Sequence, residues 1–103
     1  MKKGINILDY CEIIGKNLEV KYIAKATREE DLWSADFEDV GQETSDGAWT
    51  SHHAFGNSPE EAILNLVEIS KGKSNLVTGY AENYRKLNVP KNLYYENYEK
   101  VIS

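Results

Sequence analysis

Between Arg28 and Lys71 the chain runs for 42 residues without a lysine or arginine, and eleven of those residues are Asp or Glu. The acids are Glu29, Glu30, Asp31, Asp36, Glu38, Asp39, Glu43, Asp46, Glu60, Glu61 and Glu68. Like charges this dense repel, so any fold must place them in water or opposite cations. The same stretch carries Trp33, Phe37, Trp49 and Phe55, which call for burial. An element with two faces of opposite character satisfies both demands, and a half-buried sheet is the simplest such element. The flanks, residues 1–28 and 71–103, each carry six bases against three acids, so the net charge of -5 hides an acidic middle between basic ends.

The period of the apolar residues places the elements. Asn6 is a good N-cap, Asp9 lies in the first turn, and Gly15 suits a left-handed helix end, with Ile7, Leu8, Cys11 and Ile14 as the apolar stripe between them. Leu18 to Lys25 alternates, with Leu18, Val20, Tyr22 and Ala24 on one face. Leu32 to Asp39 alternates again, which predicts Trp33, Ala35 and Phe37 inward and Asp36 and Glu38 in solvent. Gly41 to Gly47 reads as a loop, and Ala48 to Phe55 as a third strand with Trp49, Ser51, His53 and Phe55 inward. Ser58-Pro59-Glu60-Glu61 is a capping box with proline at the first helical position, and it opens a helix that buries Ala62, Ile63, Leu66, Val67 and Ile69. Lys71-Gly72-Lys73 ends it. Leu76, Val77, Tyr80, Tyr84 and Leu87 are spaced for a further helix, and Tyr94, Tyr95, Tyr98, Val101 and Ile102 for a short last one. The expectation is an α+β chain of one domain, 1–103. A three-stranded antiparallel meander is packed by two helices in a core over 6–73, followed by a mainly helical extension over 74–103.

The order helix-strand-strand-strand-helix, with the junction Phe55-Gly56-Asn57-Ser58-Pro59-Glu60-Glu61-Ala62, resembles the double-stranded-RNA-binding domain. It is also similar to the strand-to-helix junction of HicB-type antitoxins, and small phage and mobile-element proteins carry comparable junctions. The resemblance implies a duplex-binding surface at the start of the second helix, where that family places lysines. Here those positions are Pro59, Glu60 and Glu61, which repel phosphate. HicB-like antitoxins add a DNA-binding segment; the tail shows no clear helix-turn-helix, but Arg85, Lys86 and Lys91 keep as the alternative a HicB-like antitoxin or a degenerate double-stranded nucleic-acid-binding module that uses the basic ends.

Motifs for chemistry are scarce. The chain has no glycine-rich phosphate loop, no nucleophile elbow and no CxxC pair, so the reading is not an enzyme and no cofactor is expected. His52 and His53 are adjacent on a strand and point to opposite faces, so they do not share a metal, and no metal site is expected. His52 is read as a surface histidine that can neighbour Asp36 or Glu38, and His53 as a packed one. One cysteine, Cys11, cannot form an internal disulfide, which favours a reducing, cytoplasmic setting. No apolar run reaches the roughly 18 residues of a membrane span, so no membrane partner is expected.

These features point to a non-enzymatic binding module whose acidic face, Asp36, Glu38, Asp39, Glu43 and Asp46, meets a basic protein surface, that of a nucleic-acid-binding protein. The specific form is an inhibitor that mimics nucleic acid, as small acidic phage inhibitors such as some anti-CRISPR proteins do. Direct binding of nucleic acid is not expected, and a homodimer through Ala48–Phe55 remains open. His52 and the tyrosines Tyr94, Tyr95 and Tyr98 form a secondary candidate surface.

Overall fold

The computed structural model describes residues 4–23, 32–79 and 84–97. The elements in chain order are β1 (Ile5–Asn6), α1 (Ile7–Ile14), β2 (Leu18–Ile23), β3 (Leu32–Glu43), β4 (Trp49–Gly56), α2 (Pro59–Ser70), β5 (Leu76–Thr78), β6 (Arg85–Leu87) and β7 (Leu93–Tyr94). The protein is α+β, with two helices and a largely antiparallel sheet among the described residues. In that sheet β3 is central. Its first half pairs with β2 on one side and β4 on the other, and its second half pairs with β4 and β5. Strand β6 continues the sheet beyond β5. A short parallel pairing of β1 with β7 ties the two ends of the described chain together.

Both helices begin and end where their side chains allow. The Asn6 side chain accepts from the Leu8 amide at 3.1 Å, and Gly15 closes α1 at φ 70° with its amide on the Glu12 carbonyl. The Arg85 guanidinium from β6 donates to the Ile14 carbonyl, placing a cation on the negative end of α1. Ser58 caps α2 by accepting from the Glu61 amide at 3.1 Å, with Pro59 in the first turn.

The core forms where α1 and α2 cover one face of the sheet. Ile7, Tyr10, Cys11 and Ile14 of α1 and Ala62, Ile63, Leu66 and Val67 of α2 meet Ala35, Phe37, Val40 and Ala54 of the strands. The Tyr10 and Phe37 rings make an edge contact at 6.1 Å. Two details differ from the simple helical stripes. Tyr10 is buried while Leu8 is only half-buried, and the last turn of α2 buries Ser70 while Ile69 faces water.

Strand β4 turns the opposite face to the helices from the one its hydrophobicity suggests. Ala54 and Gly56 are buried, whereas Trp49 is 57% and Phe55 43% exposed. The reason is steric. The α2 backbone lies so close to Gly56 that a Cβ there would meet the Ala62 amide nitrogen at 2.5 Å and the Glu61 carbonyl carbon at 2.7 Å. Aromatic rings cannot occupy that space, so the helix selects the small residues and the rings go outside.

Two further expectations are corrected. Gly41 to Glu43 is strand, because β3 continues past a bend to pair with β4 and β5, and the connecting turn shrinks to 44–48. The described part of the tail is strand where helix was expected. Leu76 and Val77 are buried in β5 and Leu87 in β6, because the open side of β3 offers a ladder of hydrogen bonds that outweighs helical spacing. Tyr80, Tyr98, Val101 and Ile102 lie outside the described residues. The tail also supplies core, with Leu76, Leu87, Val89 and Leu93 all buried in the main cluster.

Gly56→Ala is therefore expected to destabilise the protein by about 1–3 kcal/mol although it adds only a methyl group, because that methyl overlaps helix backbone. Chemical denaturation of the variant, set beside the cavity-forming Leu66→Ala, measures this.

Candidate functional site

The chemistry-bearing residues gather where β3 bends. Asp36 pairs with His53 and Gly41 with Ser51, so the four residues from Phe37 to Val40 stand opposite His52 alone. Asp39 takes a left-handed conformation at φ 55°, and its carbonyl accepts from the Thr78 hydroxyl at 2.8 Å. This bulge lets β3 leave β2 after Phe37 and take up β5 from Val40. It also opens a cleft of about 220 Å³, whose lining includes Asp36, Asp39, Trp49, Ser51, His53 and Gly79.

Cross-strand register assembles a row on the sheet face away from the helices. Glu19, Asp36 and His53 lie side by side on β2, β3 and β4, and Lys21, Ser34 and Phe55 form the next rung. His53 and Phe55 meet edge to face at 4.8 Å. The Trp49 indole lies over Gly41, where any Cβ would collide with it.

Asp36 is the anomalous member. Its Oδ1 is buried and accepts no hydrogen bond from the described residues. Desolvation first, and then the facing Glu19 carboxylate, push its acidity toward the protonated form, while Lys21 and His53 pull the other way. A protein gains no stability from such a group.

The five acidic residues expected to form one face are divided by the bulge. Asp36 is half-buried. Glu38 is engaged with Asn17, whose side-chain amide lies 3.4 Å from Glu38 Oε1. Glu43 accepts from the Tyr84 hydroxyl at 2.5 Å and pairs with Lys86 at 3.5 Å, contacts that hold its carboxyl below the usual range. Asp46 accepts from the Thr44 hydroxyl and the Ala48 amide, which likewise favours its ionised form. Asp39 is exposed at the cleft mouth. The continuous solvent-facing carboxylate row is thus replaced by separate acids, of which Asp39 and Asp46 are exposed together with Glu60, Glu61 and Glu68.

The two histidines exchange their expected places. His52 is 5% exposed, faces the helices, and has Nε2 2.7 Å from the Ser70 hydroxyl. Burial, then Lys73 and His53, push its pKa down to about 4, so it is a neutral strut between β4 and the end of α2. His53 is the exposed imidazole beside Asp36. The exchange follows from the face inversion of β4. Of the tyrosines, Tyr94 lies in β7 and Tyr95 packs against the core, so this pair is drawn into the closure of the fold. Tyr98 lies outside the described residues. The Cys11 thiol is buried and pushed up to about 11, away from nucleophilic use. Among the described residues no three His, Cys, Asp or Glu side chains are grouped to hold a metal ion, and no helix is long and apolar enough to cross a membrane.

Sequence reasoning missed Glu19 and Lys21 as neighbours of Asp36, which the β2–β3 register puts there, and Gly79 in the cleft lining, which the β3–β5 pairing brings there. It placed Trp49, Ser51 and His53 on one face correctly, and the small pair Ala54 and Gly56 was the available signal for which face a helix covers. No protein-family model, curated protein or solved structure matches the chain.

Two outcomes follow from the titrating groups. His52 binds its proton only below about pH 4 when folded, against 6.5 for the free imidazole. The unfolded chain therefore takes up the proton first, and stability falls as pH drops from about 6.5 to about 4, by at most about 1.4 kcal/mol per pH unit. His52→Gln, measured by urea denaturation across that range, should flatten this part of the profile. Asp36 is raised, so its ionisation costs stability as pH rises. Asp36→Asn should raise the denaturation midpoint at pH 7, with the gain disappearing in acid.

Proposed function

We propose that the protein is a non-enzymatic binding module that engages a basic surface of a partner protein, in the manner of an inhibitor acting on a nucleic-acid-processing protein. The observation that carries this reading is the uncovered sheet face. It presents Trp49 and Phe55 to solvent at 57% and 43% exposure, beside Asp36 and with Asp39 and Asp46 at its margin. Aromatic rings with polar tips or neighbours are enriched in protein interfaces, and acids around them select a cationic partner. The burial of an unbonded carboxylate oxygen beside exposed aromatic rings suits a site retained for recognition at some cost in stability.

The basic ends do not favour direct binding of nucleic acid. Arg85 is used on the Ile14 carbonyl and Lys86 on Glu43, so part of the tail's charge is spent inside the molecule. Glu60 and Glu61 are exposed at the start of α2, where a duplex-binding domain needs cations.

The test is the affinity for a nucleic-acid-processing partner at two ionic strengths. Affinity is expected to fall steeply between about 0.05 M and about 0.5 M salt. It should fall by roughly ten-fold or more when Asp39, Asp46, Glu60 and Glu61 are neutralised together, with duplex RNA giving no gel shift at micromolar protein. Affinity indifferent to both salt and neutralisation overturns the proposal.

A further inference from the structure

Among the described strands β2, β4 and β6 each lie at an edge of the sheet; β2 carries Glu19 and Lys21 and the three-residue β6 carries Arg85 and Lys86, whereas β4 is the longest and bears no charge. Its eight residues pair only with β3, and the other side of the strand has no strand partner among the described residues. Proteins ordinarily blunt such edges with charge, proline or brevity. Strand β4 has none of these. From Gly47 to Pro59 there is no Asp, Glu, Lys or Arg, the longest such run in the chain, and Pro59 falls beyond the strand. The neutral run is bracketed by charge of one sign, with exposed Asp46 before it and exposed Glu60 and Glu61 after it. One edge acceptor is already used, since Asn65 of α2 donates to the Phe55 carbonyl at 2.6 Å. That leaves the segment from Trp49 to Ala54 for pairing. Its side chains at Trp49, Ser51 and His53 alternate with Thr50, His52 and Ala54, so a strand laid along it meets an indole and an imidazole on the outer face.

We infer that this edge is a docking site for an extended segment of a protein partner, which adds as a further strand beside β4 and carries basic residues at both ends. The inference deepens the proposed binding of a basic partner and rests on it. Main-chain hydrogen bonds supply the attachment, and the acids at each end of the strand select the charge of the incoming segment. A second copy of this chain fits the edge less well. Antiparallel self-pairing of β4 brings Asp46 of one copy toward Glu60 and Glu61 of the other, and like charges oppose the contact.

The test uses the intact protein and synthetic peptides with blocked ends: a strand of alternating threonine and valine with two arginines at each terminus, the same strand with glutamates at the termini, and the arginine strand with alternate backbone amides methylated. Amide chemical shifts and hydrogen exchange are followed along β4. The arginine peptide is expected to bind and to protect amides between Trp49 and Ala54, and both other peptides are expected to bind roughly ten-fold more weakly or worse. Equal binding of the methylated peptide overturns edge pairing while leaving the basic-partner reading standing, because attraction then needs only charge. Equal binding of the glutamate peptide overturns the charge selection. Failure of all three peptides overturns the docking site, and the salt titration above judges the broader reading separately. A dimer in sedimentation that holds β4 protected and excludes the arginine peptide overturns it in favour of self-association.

Discussion

The close approach of α2 to Gly56 governs much of this molecule. Helix backbone sits where a side chain would stand on any other residue, so β4 can turn only its small residues toward the helix. Ala35 of β3 and Ala54 of β4 are paired across the strands and complete that narrow seat. The hydrophobic gain of covering Trp49 and Phe55 is forgone, and the core is built from aliphatic helix residues over small strand residues and Phe37. The exposure of Trp49, Phe55 and His53 on the outer face follows from that choice.

The bulge at Phe37 to Val40 is the second constraint, and it is what makes a sheet of this size from strands this short. By bending, β3 serves β2 with one half and β5 with the other while pairing with β4 on both sides of the bulge. The bend separates Asp36 from Glu43, so the acidic middle is dispersed over several surroundings. Some of it is neutralised at home. Lys86 and Tyr84, from the far side of the β5–β6 connection, meet Glu43, and Lys71, just past the end of α2, pairs with Glu68 at 3.0 Å. Exposed pairs of this kind contribute little to stability, but they reduce the repulsion that the sequence would otherwise impose. Among the described residues, exposed acids stand at the cleft (Asp39) and at the two ends of β4 (Asp46, Glu60 and Glu61).

Much of the framework was legible because it is decided within a few residues. The caps Asn6, Gly15 and Ser58, the proline at the first turn of α2 and the two-residue period of β2 and early β3 all act locally, and each element lies where those signals put it. The tail was not legible. Leu76, Val77 and Leu87 are spaced as a helix would space them, yet they are buried in strands because β3 presents an unpaired edge beside them. The two histidines were likewise separated correctly onto opposite faces but assigned to the wrong sides.

The sequence by itself determined the order of helix, three strands and helix, the positions of the caps, and the confinement of positive charge to the ends. These are matters of period, capping chemistry and composition, which need no knowledge of distant residues. Only the tertiary structure decided which face of β4 is covered, where β3 bends, and which acids stay in water. Those outcomes depend on how near a helix backbone can come to a strand and on which edge remains open for pairing, and both are set by contacts between residues far apart in the chain.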